Sequence, residues 1–244
     1  MLVAIFLSVM KLFFFLFCAL TAVFVATPAQ ASSSGAGAGV CPAPGFSTLE
    51  RQVRQEMSQN RAGAAIKALE AYRSAALRLT RPEFAQYNYI YAGALRRGKK
   101  FYEAVECYRL AYLFMPEGRD KEMALLDRAD VYAGMGFYPE AISVYRIFLS
   151  AYGKSDIAWR AHLGLADMLF KTADYSGALQ NYEKAGGGAS ALFGKAEALA
   201  ACGRPGEAYA LFTSLAARYP GYMERSGLAR YGMGEACRLL RRTD

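Results

Sequence analysis

The stretch FYEAVECYRLAYLFMP, Phe101 to Pro116, sets large aromatic residues among small alanines and closes on a proline. Aligned on Ala104 it has three later relatives: FYPEAISVY around Ala141, DYSGALQNY around Ala178 and RPGEAYALF around Ala208. The four alanines are spaced by 37, 37 and 30 residues. Four residues after each stands an aromatic (Tyr108, Tyr145, Tyr182, Phe212), and twelve before each stands another alanine (Ala92, Ala129, Ala166, Ala196). Nine before each stand Leu95, Tyr132, Leu169 and Leu199, and three before stand Phe101, Tyr138, Tyr175 and, departing from the pattern, Pro205. Sixteen registered positions with one departure define an internal repeat. Cys107 and the glutamates of the first stretch vary among the copies, so the shared residues are packing residues.

Each unit reads as two helices. Small side chains at Ala92 and Ala104 let the helices of a hairpin approach closely, and the aromatic one turn later fills the space toward the next hairpin. Gly98, Gly136 and Gly203, or Ala173 in the third unit, are expected at the turns, and Pro116 and Pro220 at the ends of second helices. One such hairpin cannot bury its apolar face, whereas stacked hairpins can. The fold class expected is therefore all-α, a stack of antiparallel helix pairs.

These residues resemble the tetratricopeptide repeat, whose signature combines a small residue in the first helix, an alanine followed by an aromatic in the second, and a closing proline. The resemblance implies a right-handed α-solenoid. Four units match over residues 84–220; Gly153 and Ser190 replace the closing proline in two of them, and two spacings exceed the family's usual repeat of about 34 residues. A degenerate unit is expected over residues 46–83, with Val53, Ala65, Leu69 and Tyr72 at similar offsets, and a capping helix or truncated unit over residues 221–244. The segment from Phe137 with the link FLSAYGKS further resembles exported repeats of bacterial envelope proteins, such as the periplasmic protein accompanying the Tol-Pal system and the repeat-bearing lipoprotein of the outer-membrane barrel assembly machine. Those families are adaptors without enzymatic activity, so the resemblance implies partner binding.

The N-terminal segment agrees with export. Lys11 is followed by an apolar run from Leu12 to Ala26, then by Ala29 and Ala31 at the spacing of a signal-peptidase site. Residues 1–31 are expected to be a cleaved signal, with Met10 an alternative start, in a periplasmic protein of a Gram-negative bacterium. The competing reading is an uncleaved membrane anchor, although the run is shorter than the roughly 20 residues of a spanning helix. A lipid anchor at Cys41 fits poorly with Val40 before it, and residues 32–45, rich in Gly, Ser and Ala, read as a flexible leader.

With 244 residues, 54% of them hydrophobic, the chain has material for a continuous core. Its net charge of +8 is modest. An enzyme is not expected: His162 falls at an interface between helices, GAGAG follows no strand, and Asp127, Asp130, Asp167 and Asp174 stand one to a segment, as solvated faces do. No cofactor, metal or nucleic acid is implied. Cys202 and Cys237 are 35 residues apart, close to one repeat, so they are candidates for a disulfide; two small buried apolar residues are the alternative.

In stacks of this kind the first helices line the concave surface. The face of each turned from its hairpin partner gives the candidate groove: Gln86, Tyr89, Gly93 and Arg97; Met123, Leu126, Asp130 and Ala133; Arg160, Leu163, Asp167, Phe170 and Lys171; Ser190, Phe193 and Glu197. An apolar floor with both charge signs suits a peptide of a partner protein from the envelope. The basic clusters RRGKK (Arg96–Lys100) and RLLRR (Arg238–Arg242) support a different expectation, a scaffold held peripherally on a membrane or glycan surface.

Overall fold

The computed structural model describes residues 45–241. The signal, most of the leader, Cys41 and Arg242 lie outside the described residues. Among the described residues the chain is all-helical, with twelve helices and no strand. α1 (Phe46–Ser58) and α2 (Ala62–Ala76) precede four hairpins: α3 (Arg81–Arg97) with α4 (Phe101–Phe114), α5 (Arg119–Gly134) with α6 (Tyr138–Tyr152), α7 (Ala158–Lys171) with α8 (Tyr175–Ala185), and α9 (Ala189–Ala201) with α10 (Pro205–Arg218). A short α11 (Pro220–Arg225) leads to α12 (Gly227–Leu240), which packs on α10. Each helix contacts the next, and the first helices also touch across repeats, α5 with α7, α7 with α9 and α9 with α12. Consecutive pairs thus stack as in tetratricopeptide solenoids.

The hairpin turns share one stereochemistry. The residue five before each register alanine is left-handed, with φ of 58° at Asn60, 61° at Lys99, 78° at Gly136, 63° at Ala173 and 74° at Gly203. In the first of the four hairpins the Lys99 N–H donates to the Arg96 carbonyl at 3.1 Å and the Lys100 N–H to the Leu95 carbonyl at 2.9 Å. The same two bonds recur at every turn, ending with Arg204 N–H to Leu199 carbonyl at 2.9 Å. This is the helix-ending motif that satisfies the last free carbonyls through a left-handed residue. Gly98, expected from sequence to mark the first turn, has φ −75°; Lys99 makes the bend instead. Leu95, Leu169 and Leu199 are in register because they stand at the carbonyl that the turn closes on.

Packing follows the register. All eight alanines, from Ala92 to Ala208, are 0% exposed, and Tyr108, Tyr145, Tyr182 and Phe212 are buried. These aromatics reach into the following repeat. A Cβ at Gly164 would stand under 3.0 Å from the Tyr145 ring, and one at Gly194 equally close to Tyr182. Glycine on the next first helix therefore makes room for the ring. Nineteen residues after Tyr108, where Gly164 follows Tyr145, stands Asp127.

Local signals set the helix starts. The Thr80 N–H donates to the Glu83 carboxylate at 3.0 Å and Pro82 lies in the first turn of α3. Asp174 accepts the Gly177 N–H at 2.9 Å to cap α8. α12 resembles a first helix in its packing, with Ala229 and Ala236 buried and Gly232 under the Phe212 ring. Its opposite face is bare: Leu228 and Tyr231 are 70% and 71% exposed.

Candidate functional site

The first helices carry a polar network across an apolar floor. One residue after the register alanines stand Asp130, Asp167 and Glu197. The Tyr145 hydroxyl donates to Asp130 Oδ1 at 2.6 Å, and the Tyr182 hydroxyl to Asp167 Oδ1 at 2.7 Å, so each aromatic that packs a hairpin also grips a groove carboxylate of the same repeat. In the first of these repeats the equivalent residue is Gly93, near the Tyr108 hydroxyl but with no carboxylate to offer. In the fourth, Glu197 is matched with Phe212, which lacks a hydroxyl.

Asp127 and Asp130 are drawn together by cations. Arg160 Nη2 lies 3.2 Å from Asp130 Oδ2 and 3.9 Å from Asp127 Oδ1. Arg96 Nη1 approaches Asp127 Oδ1 at 3.5 Å, and the Tyr89 hydroxyl donates to Asp127 Oδ2 at 2.9 Å. Burial raises the Asp127 carboxyl above the ordinary carboxylate range, against the opposing effect of the Tyr89 hydrogen bond and the Arg96 charge. The aspartates Asp127 and Asp130 are therefore not the separate solvated faces expected from sequence; together with Arg160 they join adjacent repeats. Asp167 and Glu197 are raised in the same direction, again chiefly by the protein around them; the Lys171 charge opposes the rise at both, and Asp167 adds to it at Glu197.

A cleft of about 320 Å³ opens between the second and third hairpins, lined by Asp130, Tyr145, Trp159, Arg160, Leu163 and Asp167. Trp159, the one tryptophan of the chain, is 50% exposed there. Gln86, Tyr89, Met123, Arg160, Leu163, Phe170, Phe193 and Glu197 are half-buried, as a usable floor requires, while Asp167 and Lys171 are exposed. Two candidates sit elsewhere. Leu126 is 1% exposed in the cluster that spans α5 to α9, so it supports the floor from beneath and cannot touch a partner. Arg97 Nη1 donates to the Met57 carbonyl at 2.7 Å, so its charge fastens α3 to the end of α1.

Trp159 and the tyrosine hydroxyls were not among the sequence candidates. Trp159 stands where the other repeats have Ala85, Glu122 and Ala189, a contrast in size visible in the alignment. The paired tyrosine and aspartate are 15 residues apart in both repeats, which the same alignment contains.

The remaining reactive side chains are occupied or quenched. His162 Nδ1 lies 3.0 Å from Asn181 Oδ1, and Asn181 in turn donates to the Gly177 carbonyl. Burial pushes the Cys107 thiol up to about 11, which disfavours a thiolate. Cys202 and Cys237 are not joined as a disulfide: Cys202 is the exposed residue just after α9, whereas Cys237 is half-buried on α12, whose main packing is with α10. The basic turn is also largely engaged, with Arg96 on Asp127, Arg97 on Met57 and Lys100 3.5 Å from Glu70.

Comparison with known structures agrees on the architecture. A tetratricopeptide repeat protein from Parabacteroides merdae superposes with a TM-score of 0.65 at 18% identity, over 80% of this chain and 73% of that one. Kinesin light chain TPR-like repeats from Podosopora anserina give 0.61 at 16% identity, over 74% and 97%. YrrB, a TPR protein with an unusual peptide-binding site, gives 0.54 at 12% identity, over 75% and 96%. At these identities the likeness is one of fold. Comparison with curated protein sequences finds no significant match. The tetratricopeptide repeat family profile matches residues 51–120 and 126–187, more than half of the sequence. With the register, the stacked hairpins and this match in agreement, the chain belongs to the tetratricopeptide repeat family.

Proposed function

We propose that the chain is a non-enzymatic adaptor of a bacterial cell envelope that holds a peptide of a partner protein along its first helices. The family is generally one of protein-binding scaffolds, and stacked repeats create extended surfaces for that use. The observation that carries the reading is the cleft beside Leu163, which half-exposed Trp159 lines together with Asp130 and Asp167, each held by a tyrosine hydroxyl. A large aromatic left half open beside directional polar groups is the makeup of a peptide anchor site. The envelope setting is supported by Lys11, the apolar run after it and the Ala29–Ala31 spacing, and by the resemblance to long-spaced exported repeats.

The test is site-directed photocrosslinking in cells producing the full chain. A photoreactive residue at Leu163 or Phe193 should trap one discrete partner, whereas the same residue at exposed Ile147 on α6 should trap none. Equal adducts from all three positions would remove the groove assignment. Mass spectrometry of the recovered protein tests the export half: a mature chain starting at Ser32 is expected, and an intact terminus in the cytoplasmic fraction would overturn it.

A second reading, contact with an anionic membrane surface, is favoured by the bare face of α12, where Leu228 and Tyr231 stand near Arg230. Its test is sedimentation with anionic vesicles, which L228D/Y231D should abolish; sedimentation unchanged in that variant would reject it.

A further inference from the structure

Two successive repeats carry the same device, a tyrosine hydroxyl donated to an aspartate on the first helix of its own repeat. In the earlier one, Asp130 Oδ2 receives Arg160, which stands on the next repeat eighteen residues before its register alanine, Ala178. Eighteen before the last register alanine, Ala208, stands Ser190, which is uncharged and too short to do the same for Asp167. Among the described residues Asp167 forms no ion pair; Lys171 acts on it only from a distance. Next to it lies Glu197, half-buried and of the same charge, and beside that the Phe193 and Tyr222 rings, 6.2 Å apart.

We infer that the bound segment is basic, with an arginine that takes on Asp167 and Tyr182 the place Arg160 takes on Asp130. The inference rests on the groove reading and names the chemistry of its occupant. A guanidinium there meets a carboxylate already oriented by a hydroxyl, adds to Lys171 in offsetting the repulsion between Asp167 and Glu197, and lies near aromatic rings. Apolar residues of the same segment then reach Leu163 and Trp159. The chain as a whole carries +8, which repels a basic peptide at long range, so binding must come from local complementarity. This distinguishes the site from a generally acidic surface.

The test uses the full chain in neutral detergent and reads the emission of Trp159, the one tryptophan present. The probes are acetylated, amidated hexapeptides of alternating leucine and arginine, leucine and glutamine, and leucine and glutamate. The arginine peptide should bind at least tenfold more tightly than the other two. D167N should weaken it roughly tenfold, the scale of one charge-assisted contact. S190R, which supplies the missing internal arginine, should block it to the same extent, while E140Q, on an exposed acid remote from the groove, should leave it unchanged. Equal binding of all three peptides, preference for glutamate, or indifference to both D167N and S190R would overturn the inference. Binding of the glutamine peptide as tight as that of the arginine peptide, lost in L163D, would overturn it while leaving the groove reading intact. No binding by any peptide would overturn it too, with crosslinking from Leu163 then deciding the groove reading independently.

Discussion

Substituting glycine at Ala173 is expected to stabilise the protein, although glycine ordinarily weakens a helical chain. Ala173 is held at φ 63°, where the Cβ of an L-residue meets backbone oxygen at a cost of about 1–2 kcal/mol. Glycine removes that cost but leaves a freer unfolded chain, a loss of about 0.4–1 kcal/mol. The turn itself stays in place, since the Ala173 N–H to Phe170 carbonyl bond at 3.0 Å and the Asp174 N–H to Leu169 carbonyl bond at 2.9 Å use only backbone atoms. Asp174 also caps the following helix. A173G should therefore gain about 0.5–1 kcal/mol, or a rise in Tm of about 1–4 °C for a chain of this size. The reverse control is G136A, at φ 78° with nothing within 4 Å of the added Cβ, which isolates the backbone contribution and should lose a similar amount. Urea and thermal unfolding followed by circular dichroism give the global change. Amide exchange at residues 173 and 174 gives the local one, because stacked repeats open in part rather than all together. Destabilisation by A173G together with stabilisation by G136A would refute the claim that the turn residue is strained.

Gly164 should behave oppositely to a bare helical glycine: G164A, whose Cβ would press on the buried Tyr145 ring, should destabilise by about 1–3 kcal/mol, while G234A, with open space around it, should stabilise by up to about 1 kcal/mol; equal signs in urea melts would remove the close-packing argument. The raised carboxyl of Asp127 makes the folded state bind more protons than the unfolded one between the ordinary aspartate value and its own. Its contribution to stability is thus present below about pH 3.9 and declines as pH rises through the raised value. Glu83 and Glu117, lowered by their contacts with Thr80 and Lys121, act with the opposite sign, so the difference between parent and D127N over pH 3–7 is the measure, and a parallel pair of curves would exclude the effect.

The repeat frame was legible because packing imposes the same residue at the same place in every copy. Alanine at zero exposure and an aromatic one turn later follow from how near two helices must lie, and neither depends on what the groove binds. The groove was less legible for the complementary reason. At Leu126 an apolar residue on the inner helix face has the same periodicity whether it is covered or open, and only the neighbouring repeat decides that it is covered. At Arg97 a charge at the end of a helix was drawn to a carbonyl of α1, a contact 40 residues away that no local pattern announces. Ala173 was expected at its turn, but Lys99 escaped because the turn is fixed by two backbone hydrogen bonds strong enough to hold a residue that does not prefer it.

Positions that vary on an otherwise repeated frame can be interchanged without disturbing the frame, and this gives the most demanding test of the groove. Gln86, Met123, Arg160 and Ser190 share one register, as do Gly93, Asp130, Asp167 and Glu197. Exchanging R160S and S190R together should move the open tyrosine–aspartate pair one repeat back, from Asp167 to Asp130, while Arg96 continues to accompany Asp127. The arginine peptide should then bind within about threefold of the parent, since the same device receives it, whereas S190R alone loses roughly tenfold. Trp159 lines the same cleft as both Asp130 and Asp167, so its emission should report binding in the exchanged variant as it does in the parent. A double variant that binds no better than S190R alone would show that the two pairs are not equivalent, and that the likeness of their hydrogen bonds belongs to packing rather than to recognition.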